Sequence, residues 1–527
     1  MIEQTKTSTQ DDLLYRHNTP QPPITWQSAQ QHLRKGRHAP ALAGYRNLVQ
    51  QFPDVSQIWA EMSAAAAGEL DFALADEAAQ RAADLSVADA SMLVSLGQQH
   101  FRQRSLAKAY DCFQRAVAVN PTAVLPRLSL AAWFERARRW DEAWECLQTC
   151  LDRHPRDSRV LFFKAFLLHR KGLDTDSEVV LRDLIKASPA DPTVRYSVKH
   201  LLATVLDALG QHSEAMMWLS KAKKQMREMV NTPALEESYD KIDLARRDLL
   251  CDIRPDTLRR WRDEAEQSPC PHSLAFLGGP PRSGTTLLEQ ILGAHPDVLV
   301  FDESDAFTHE LLNVLRPQPP ARKLTLRALN ALTTDRRSEL IGRYFKSLLR
   351  EMHDWPGDKL LLDKNPSVTL SLHIWLRLFP QLKLIITLRD PRDVIISSYF
   401  QNVNGATGNV NFLSLQRAVK YYTDSMDVWL RMRDLDGCEW IETRYEDMVT
   451  NLEAEGRRVT NFLGLPWHEA QHNYHDNARR KAIFAPTYND VTKPVYNKSV
   501  ERWKNYAEEL SPFQEKLQPY LKAFGYS

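Results

Sequence analysis

Two rhythms of apolar residues divide the chain. Through the first half, apolar and small residues recur at helical spacing in blocks broken by short polar stretches, which predicts a succession of amphipathic helices. From Ser273 onward the rhythm changes. Short apolar runs alternate with helical ones: LAFLGG then TTLLEQILGAH; VLVF; KLLLDKN; LKLIITLRD then PRDVIISSYF; and CEWIETRYEDM. Short apolar runs bounded by turn residues, with helices between them, predict the strands of a parallel sheet.

The helical half repeats. Pro53, Pro121, Pro155 and Pro189 are separated by 68, 34 and 34 residues, and the absent member of the series falls on Val87. A 34-residue period is the signature of the tetratricopeptide helix–turn–helix unit. Between Ala90 and Pro121, Leu96-Gly97 supplies the small residue that lets two helices approach, and Ala109, Phe113 and Ala116 fall on the facing side. The following unit has Leu130, Ala131, Ala143 and Leu147, and the preceding one Trp59, Ala75 and Ala82. Ala41 and Tyr45 fit an earlier unit. Ala203, Ala215, Leu219 and Ala222 fit a later one after a slip of four residues. Such an array either grips a protein partner or acts as a spacer or dimerisation arm.

The expected organisation is therefore a polar tail over 1–24, a tetratricopeptide superhelix over 25–230, linking and capping helices over 231–270, and an α/β domain with a parallel sheet over 271–527. Composition adds exclusions. Lys plus Arg number 68 against 67 Asp plus Glu, so nothing points to a nucleic-acid or membrane surface. The six cysteines show no CxxC spacing, and Cys146 and Cys150, four apart in a helical stretch, are expected to pack. The polar N-terminus has no signal-peptide core, and no stretch reaches the ~20 apolar residues of a membrane span, so a cytoplasmic protein is expected.

Ligands of parallel α/β sheets sit at the carboxyl ends of the strands. That rule selects Arg282–Thr286, Asp302-Glu303, Asp363-Lys364, Arg389-Asp390 and Arg444-Tyr445. The first of these is nearly a Walker A loop: Gly279 to Thr286 reads GPPRSGTT, with both glycines in place and Thr285 where the lysine belongs. Backbone N–H groups and the following helix N-terminus still suit a phosphate or sulfate, and Arg282 brings the charge in at another position. Loss of the lysine that serves β- and γ-phosphates favours an anion without a γ-phosphate and argues against a kinase.

PPRSGTTLLEQIL together with LRDPRDVIISSYF resembles the two nucleotide signatures of the sulfotransferases that use 3′-phosphoadenylyl sulfate (PAPS). Within that family the stretch from Ser273 to Tyr526 is most similar to the tyrosylprotein sulfotransferases and to bacterial proteins with tetratricopeptide repeats in front. The resemblance implies that Arg282, Ser283, Gly284, Thr285 and Thr286 hold the 5′-phosphosulfate, and that Arg389 and Ser397 hold the 3′-phosphate. It implies Glu303 as general base on the acceptor hydroxyl, with the neighbouring Asp302 as the competing assignment. Lys364 would contact the transferred group. Tyr445 matches a tyrosine near the nucleotide, Thr487 a transition-state hydroxyl, Lys493 a cation over the nucleotide, and Arg502 a basic position. Gln401 stands where the tyrosylprotein branch has a basic residue. Ser304–His309 lacks the arginines that place an acidic peptide there. Arg392, closer to the helix start, is expected to make surface or partner contacts.

The implied reaction is in-line transfer of a sulfuryl group from PAPS to a hydroxyl acceptor, protein tyrosine among the candidates, without a metal. The acceptor belongs to a protein, a glycan or a small molecule, and the repeats offer a site for a protein partner. The alternative is a repeat-based binding protein whose α/β domain holds a nucleotide without turnover. His468-Glu469-Ala470-Gln471-His472 also spells the HExxH of zinc proteases. No third ligand follows at zincin spacing, and the stretch is expected to be a solvated polar helix.

Overall fold

The computed structural model describes residues 25–35, 37–69, 71–86, 89–102, 105–315, 323–349, 357–403, 409–435, 437–475 and 499–527. The chain divides into two compact units, 1–155 and 156–527.

In the first unit eight helices form four hairpins: α1 (Trp26–Arg34) with α2 (His38–Gln51), α3 (Ser56–Gly68) with α4 (Phe72–Leu85), α5 (Ala90–Arg102) with α6 (Leu106–Val119), and α7 (Val124–Arg136) with α8 (Trp140–Arg153). First helices beginning at 56, 90 and 124, and second helices at 38, 72, 106 and 140, keep the 34-residue period. Small residues set the approach within each hairpin. Ala41, Ala75, Ala109, Ala131 and Ala143 are fully buried. A Cβ on Gly97 would lie 2.5 Å from the Phe113 ring, so α5 and α6 could not close on any larger residue. Cys146 and Cys150 are buried in α8, and none of the six cysteines forms a disulfide.

The second unit begins with two more hairpins, α9 (Ser158–Arg170) with α10 (Asp174–Ala187), and α11 (Pro192–Ala208) with α12 (His212–Met229). Helix α11 has 17 residues where α9 has 13, and these four extra residues are the slip read in the sequence. The α9/α10 hairpin carries no run of alanines; Ala165 and Ser177 fill the small positions, and Ser177 Oγ donates to the Ala165 carbonyl at 2.8 Å. Helices α13 (Thr232–Asp252) and α14 (Pro255–Glu266) follow.

Five parallel strands then form one sheet: β1 (Leu274–Gly278), β2 (Val298–Asp302), β3 (Leu360–Lys364), β4 (Lys383–Leu388) and β5 (Glu439–Arg444), in the order β2-β3-β1-β4-β5. β1, β3 and β4 are almost wholly buried because helices cover both faces. One face packs on α15 (Thr285–Leu292) and the Leu452–Phe462 helix through Leu288, Ile291, Val459 and Leu463. The other shares a core with Trp261, Phe307, Trp375 and Trp429 that extends to Tyr196, Leu219 and Met226 of α11 and α12. Polar contacts reinforce that second packing: Tyr239 donates to Asp424 at 2.9 Å, Lys420 pairs with Asp243 at 2.7 Å, and Lys223 Nζ donates to the Gln401 carbonyl at 2.5 Å. Helix α13 is thus fastened to the α/β part along its length. Among the described residues no helix is long and apolar enough to cross a membrane.

Candidate active site

The strand order reverses between β1 and β4: from β1 the chain moves to β2 at one edge, and from β3 it crosses to β4 on the other side of β1. Parallel α/β sheets carry their ligand crevice at such a switch point. The loop after β1 runs over the end of β4. Gly279 has φ +123°, and a Cβ there would lie 2.4 Å from the Thr387 carbonyl oxygen. Thr387 Oγ1 donates to the Gly278 carbonyl at 3.2 Å, and Ser283 Oγ meets Thr387 Oγ1 at 2.5 Å. Thr369 Oγ1 accepts from Gly279 N at 3.0 Å and donates to Gly279 O at 3.0 Å. Thr369 and Thr387 were not singled out in the sequence; a threonine near the carboxyl end of an otherwise apolar strand was the available signal for Thr387.

Gly284, φ +100°, is the N-cap of α15, and a Cβ on it would meet the Tyr445 ring at 2.7 Å. Thr285 and Thr286 open the helix, so their N–H groups belong to its unsatisfied first turn. Arg282 has a φ of 74°. Its Nε donates to Ser397 Oγ at 3.1 Å, on the helix Pro391–Tyr399 that follows β4. Arg389, 6% exposed, donates from one terminal nitrogen to the Arg282 carbonyl at 3.1 Å and from the other to the Ser499 carbonyl. Its guanidinium lies 4.8 Å from the Tyr445 ring centre, and its buried Nε has no hydrogen-bond partner among the described residues. The structure therefore brings Arg282, Ser283, Gly284, Ser397, Arg389 and Tyr445 together.

A second cluster stands at the ends of β2 and β3. Glu303, φ 49°, is held by its own N–H, which donates to the Lys364 carbonyl at 2.7 Å. Lys364, fully buried, places Nζ 3.1 Å from Glu303, 3.4 Å from Glu289 and in closest contact with Asp302. Burial alone would pull the Lys364 ammonium down, but Glu289, Glu303 and Asp302 outweigh it and hold it above its ordinary value. Burial pushes the Glu289 carboxyl up to about 8. The sequence signal of Glu289 is an acid placed among the apolar residues LL and IL of a buried helix. Left-handed backbone outside glycine is costly and concentrates at functional positions, and both Arg282 and Glu303 adopt it.

Beyond Glu303 the chain forms a π-helix, Phe307–Leu312, and Phe307 stacks on Trp375 with centroids 4.3 Å apart. This wider turn anchors the Ser304–His309 stretch. Arg502 pairs with Asp207 of α11 at 2.8 Å and covers the Phe400 ring at 4.5 Å. Arg392, its side chain 14% exposed, pairs with Asp390 at 2.7 Å and lies 3.7 Å from the Trp503 ring centre, because the C-terminal segment folds back onto this helix. Buried Asp393 fixes that return by accepting from Glu501 N at 2.9 Å and Trp503 N at 2.7 Å. Thr487 and Lys493 lie outside the described residues.

The HExxH stretch is a four-residue helix, Glu469–His472. His468 Nδ1 accepts from Ala470 N at 3.2 Å as its cap, and His472 is 64% exposed. Among the described residues no group of three His, Cys, Asp or Glu side chains could hold a metal.

Residues 275–469 match the family model described as "Sulfotransferase family". This stretch, within the second unit, is the part of the chain that resembles sulfotransferases. An uncharacterised protein of Aquifex aeolicus (strain VF5) is 26% identical over 361 residues, covering 66% of this chain and 45% of that protein. Protein-tyrosine sulfotransferase A of Caenorhabditis elegans is 26% identical over 264 residues, covering 48% of this chain and 66% of that protein. The chain thus spans less than two thirds of these relatives' lengths. Among solved structures, the sulfotransferase domain of the Synechococcus PCC 7002 olefin synthase is 23% identical, with a TM-score of 0.32, over 44% of this chain and 88% of that one.

Proposed function

We propose that the protein transfers a sulfuryl group from PAPS to a hydroxyl acceptor. The observation that carries this reading is the convergence, around one crevice, of the anion-binding loop, the Arg389–Ser397 pair and an acid–lysine cluster. The donor supplies an activated sulfuryl group on a phosphate that leaves readily.

In the proposed roles, the amides of Ser283 to Thr286 and the Arg282 guanidinium hold the 5′ end, where negative charge grows on the leaving oxygen. Arg389 and Ser397 hold the 3′-phosphate; the partnerless Arg389 Nε supports this. Glu303 accepts the proton of the acceptor hydroxyl. A bond then forms between the acceptor oxygen and sulfur while the bond from sulfur to the 5′-phosphate oxygen breaks, and the electron pair leaves with adenosine 3′,5′-bisphosphate. Lys364 faces the transferred group. Glu303 is favoured over Asp302 as base because its side chain is 40% exposed, against 18% for Asp302, whose oxygen is engaged closely by Lys364. Thr487, Lys493 and Arg502 keep their proposed roles at the nucleotide from the resemblance alone.

The repeats are proposed to recruit a protein partner or acceptor. The C. elegans relative is named for protein tyrosine, so a tyrosine peptide is the first acceptor to offer. Calorimetry tests the donor assignment: adenosine 3′,5′-bisphosphate should bind the full chain more tightly than adenosine 5′-triphosphate, and absence of binding would remove the reading.

A further inference from the structure

We propose that Glu289 is a positioning residue that works in its protonated form, leaving the Lys364 ammonium able to turn from the protein's carboxylates to the transferred sulfuryl group. This inference rests on the sulfotransferase reading above.

One ammonium faces three carboxyl groups. Lys364 Nζ lies 3.1 Å from Glu303 Oε1 and 3.4 Å from Glu289 Oε2, and touches Asp302. Fully ionised, the cluster would carry two net negative charges in a pocket meant for a polyanion. Like charges crowded around one cation favour retention of a proton, and the least solvated carboxyl retains it. That group is Glu289, 5% exposed at its side chain against 18% for Asp302 and 40% for Glu303. Its Oε1 accepts from the Gln290 amide at 2.8 Å, and its buried Oε2 has no hydrogen-bond partner among the described residues.

The charged groups acting on Glu289 are Lys364 from β3 and Asp302 and Glu303 from the end of β2. β1 offers α15 Ala275 and Leu277, the Leu452–Phe462 helix offers Val459, and neighbouring Leu463 and Tyr474 complete this core. No second cation among these stands ready to stabilise a Glu289 carboxylate. Ionisation of Glu289 therefore has one consequence for the site: it adds a carboxylate that competes for Lys364. While Glu289 is neutral, Lys364 is held by Asp302 and Glu303 alone. When Glu303 takes the acceptor's proton, the ammonium is released further toward the sulfuryl oxygens.

Infrared difference spectra of the full chain, without donor or acceptor, read the proton directly. A buried carboxylic-acid band should titrate near pH 8 in the wild type and be missing in Glu289→Gln. A wild type without that band overturns the proposal, whether or not the protein transfers sulfate. In sulfate transfer from PAPS to a tyrosine peptide, the wild-type rate should fall about tenfold between about pH 7 and about pH 9 as the acid ionises. Glu289→Gln, permanently neutral, should lose that fall whatever its absolute rate. Superimposable alkaline limbs in the two proteins would overturn the positioning role. A wild type that binds no adenosine 3′,5′-bisphosphate would instead remove the sulfotransferase reading, and the positioning role with it, while the infrared band still reports where the proton sits.

Discussion

Arg282 and Ser397, 115 residues apart, meet through a 3.1 Å hydrogen bond from the guanidinium Nε to the serine hydroxyl. The contact joins the two halves of the proposed anion site, one on the loop after β1 and one on the helix after β4. Arg389 closes the triangle by donating to the Arg282 carbonyl at 3.1 Å.

That geometry makes Arg389 the main support of the 3′-phosphate in the proposed complex. Arg389→Ala should weaken adenosine 3′,5′-bisphosphate binding by about 2–3 kcal/mol, since a charge-assisted contact in a buried setting is lost. Gln401→Ala should change binding by less than about 0.5 kcal/mol, because the contact described for Gln401 is its backbone carbonyl, which Lys223 engages. Isothermal titration of both variants checks the ranking.

The two neighbouring acids should separate by function. Glu303→Ala should bind the nucleotide like the wild type but slow transfer by about 10²–10⁴-fold, the range for loss of a general base. Asp302→Ala removes the closest partner of Lys364 and should disturb nucleotide binding as well. Undiminished transfer in Glu303→Ala would return the base to Asp302.

The loop tolerates no side chain at Gly279. An alanine Cβ would lie 2.4 Å from the Thr387 carbonyl at a φ of +123°. Gly279→Ala should cost about 1–3 kcal/mol in denaturant unfolding and loosen the nucleotide, because neither the strand end nor the left-handed backbone can yield cheaply.

Buried bases at the packing of α11 and α12 on the α/β domain predict a pH slope in stability. Burial, the largest cause, pulls His200 down to about 3, and the same cause pulls Lys223 down to about 7. Both bind protons more readily when unfolded, so folding stability from these groups is lost as pH falls: for His200 from about 6.5 toward 3, and for Lys223 from about 10.5 toward 7. Glu289 has the opposite sign. Its raised carboxyl contributes stability below about 4.5 that is lost as pH rises through about 8. In thermal melts between about pH 7 and 9, Lys223→Met should therefore show a smaller rise of Tm with pH than the wild type. Glu289→Gln should show a larger one.

Most of the fold was legible because its signals are local. The five strands follow apolar runs, and the repeats follow a 34-residue period carried by buried alanines such as Ala109 and Ala143. The α9/α10 hairpin was harder to read, since Ser177 stands in for alanine and pays its polarity back through a hydrogen bond to Ala165. The places of Gly279, Gly284 and Arg389 were legible because glycine marks a turn that needs positive φ and Arg389 directly follows the apolar run of β4. The contact of Arg392 was not legible: its neighbour Trp503 arrives from more than a hundred residues away, and no local pattern announces that return. The engagement of Arg502 by Asp207 depends on tertiary packing in the same way.

The central claim is that the crevice between the β1 loop and the β4 helix transfers sulfate. The most direct measurement incubates the full chain with PAPS carrying labelled sulfate and a whole-cell extract, with products identified by mass spectrometry. The account predicts label on a hydroxyl acceptor with the wild type, and its loss with Glu303→Ala and Arg282→Ala. A wild type that binds adenosine 3′,5′-bisphosphate yet labels nothing beyond the level of those variants would contradict it.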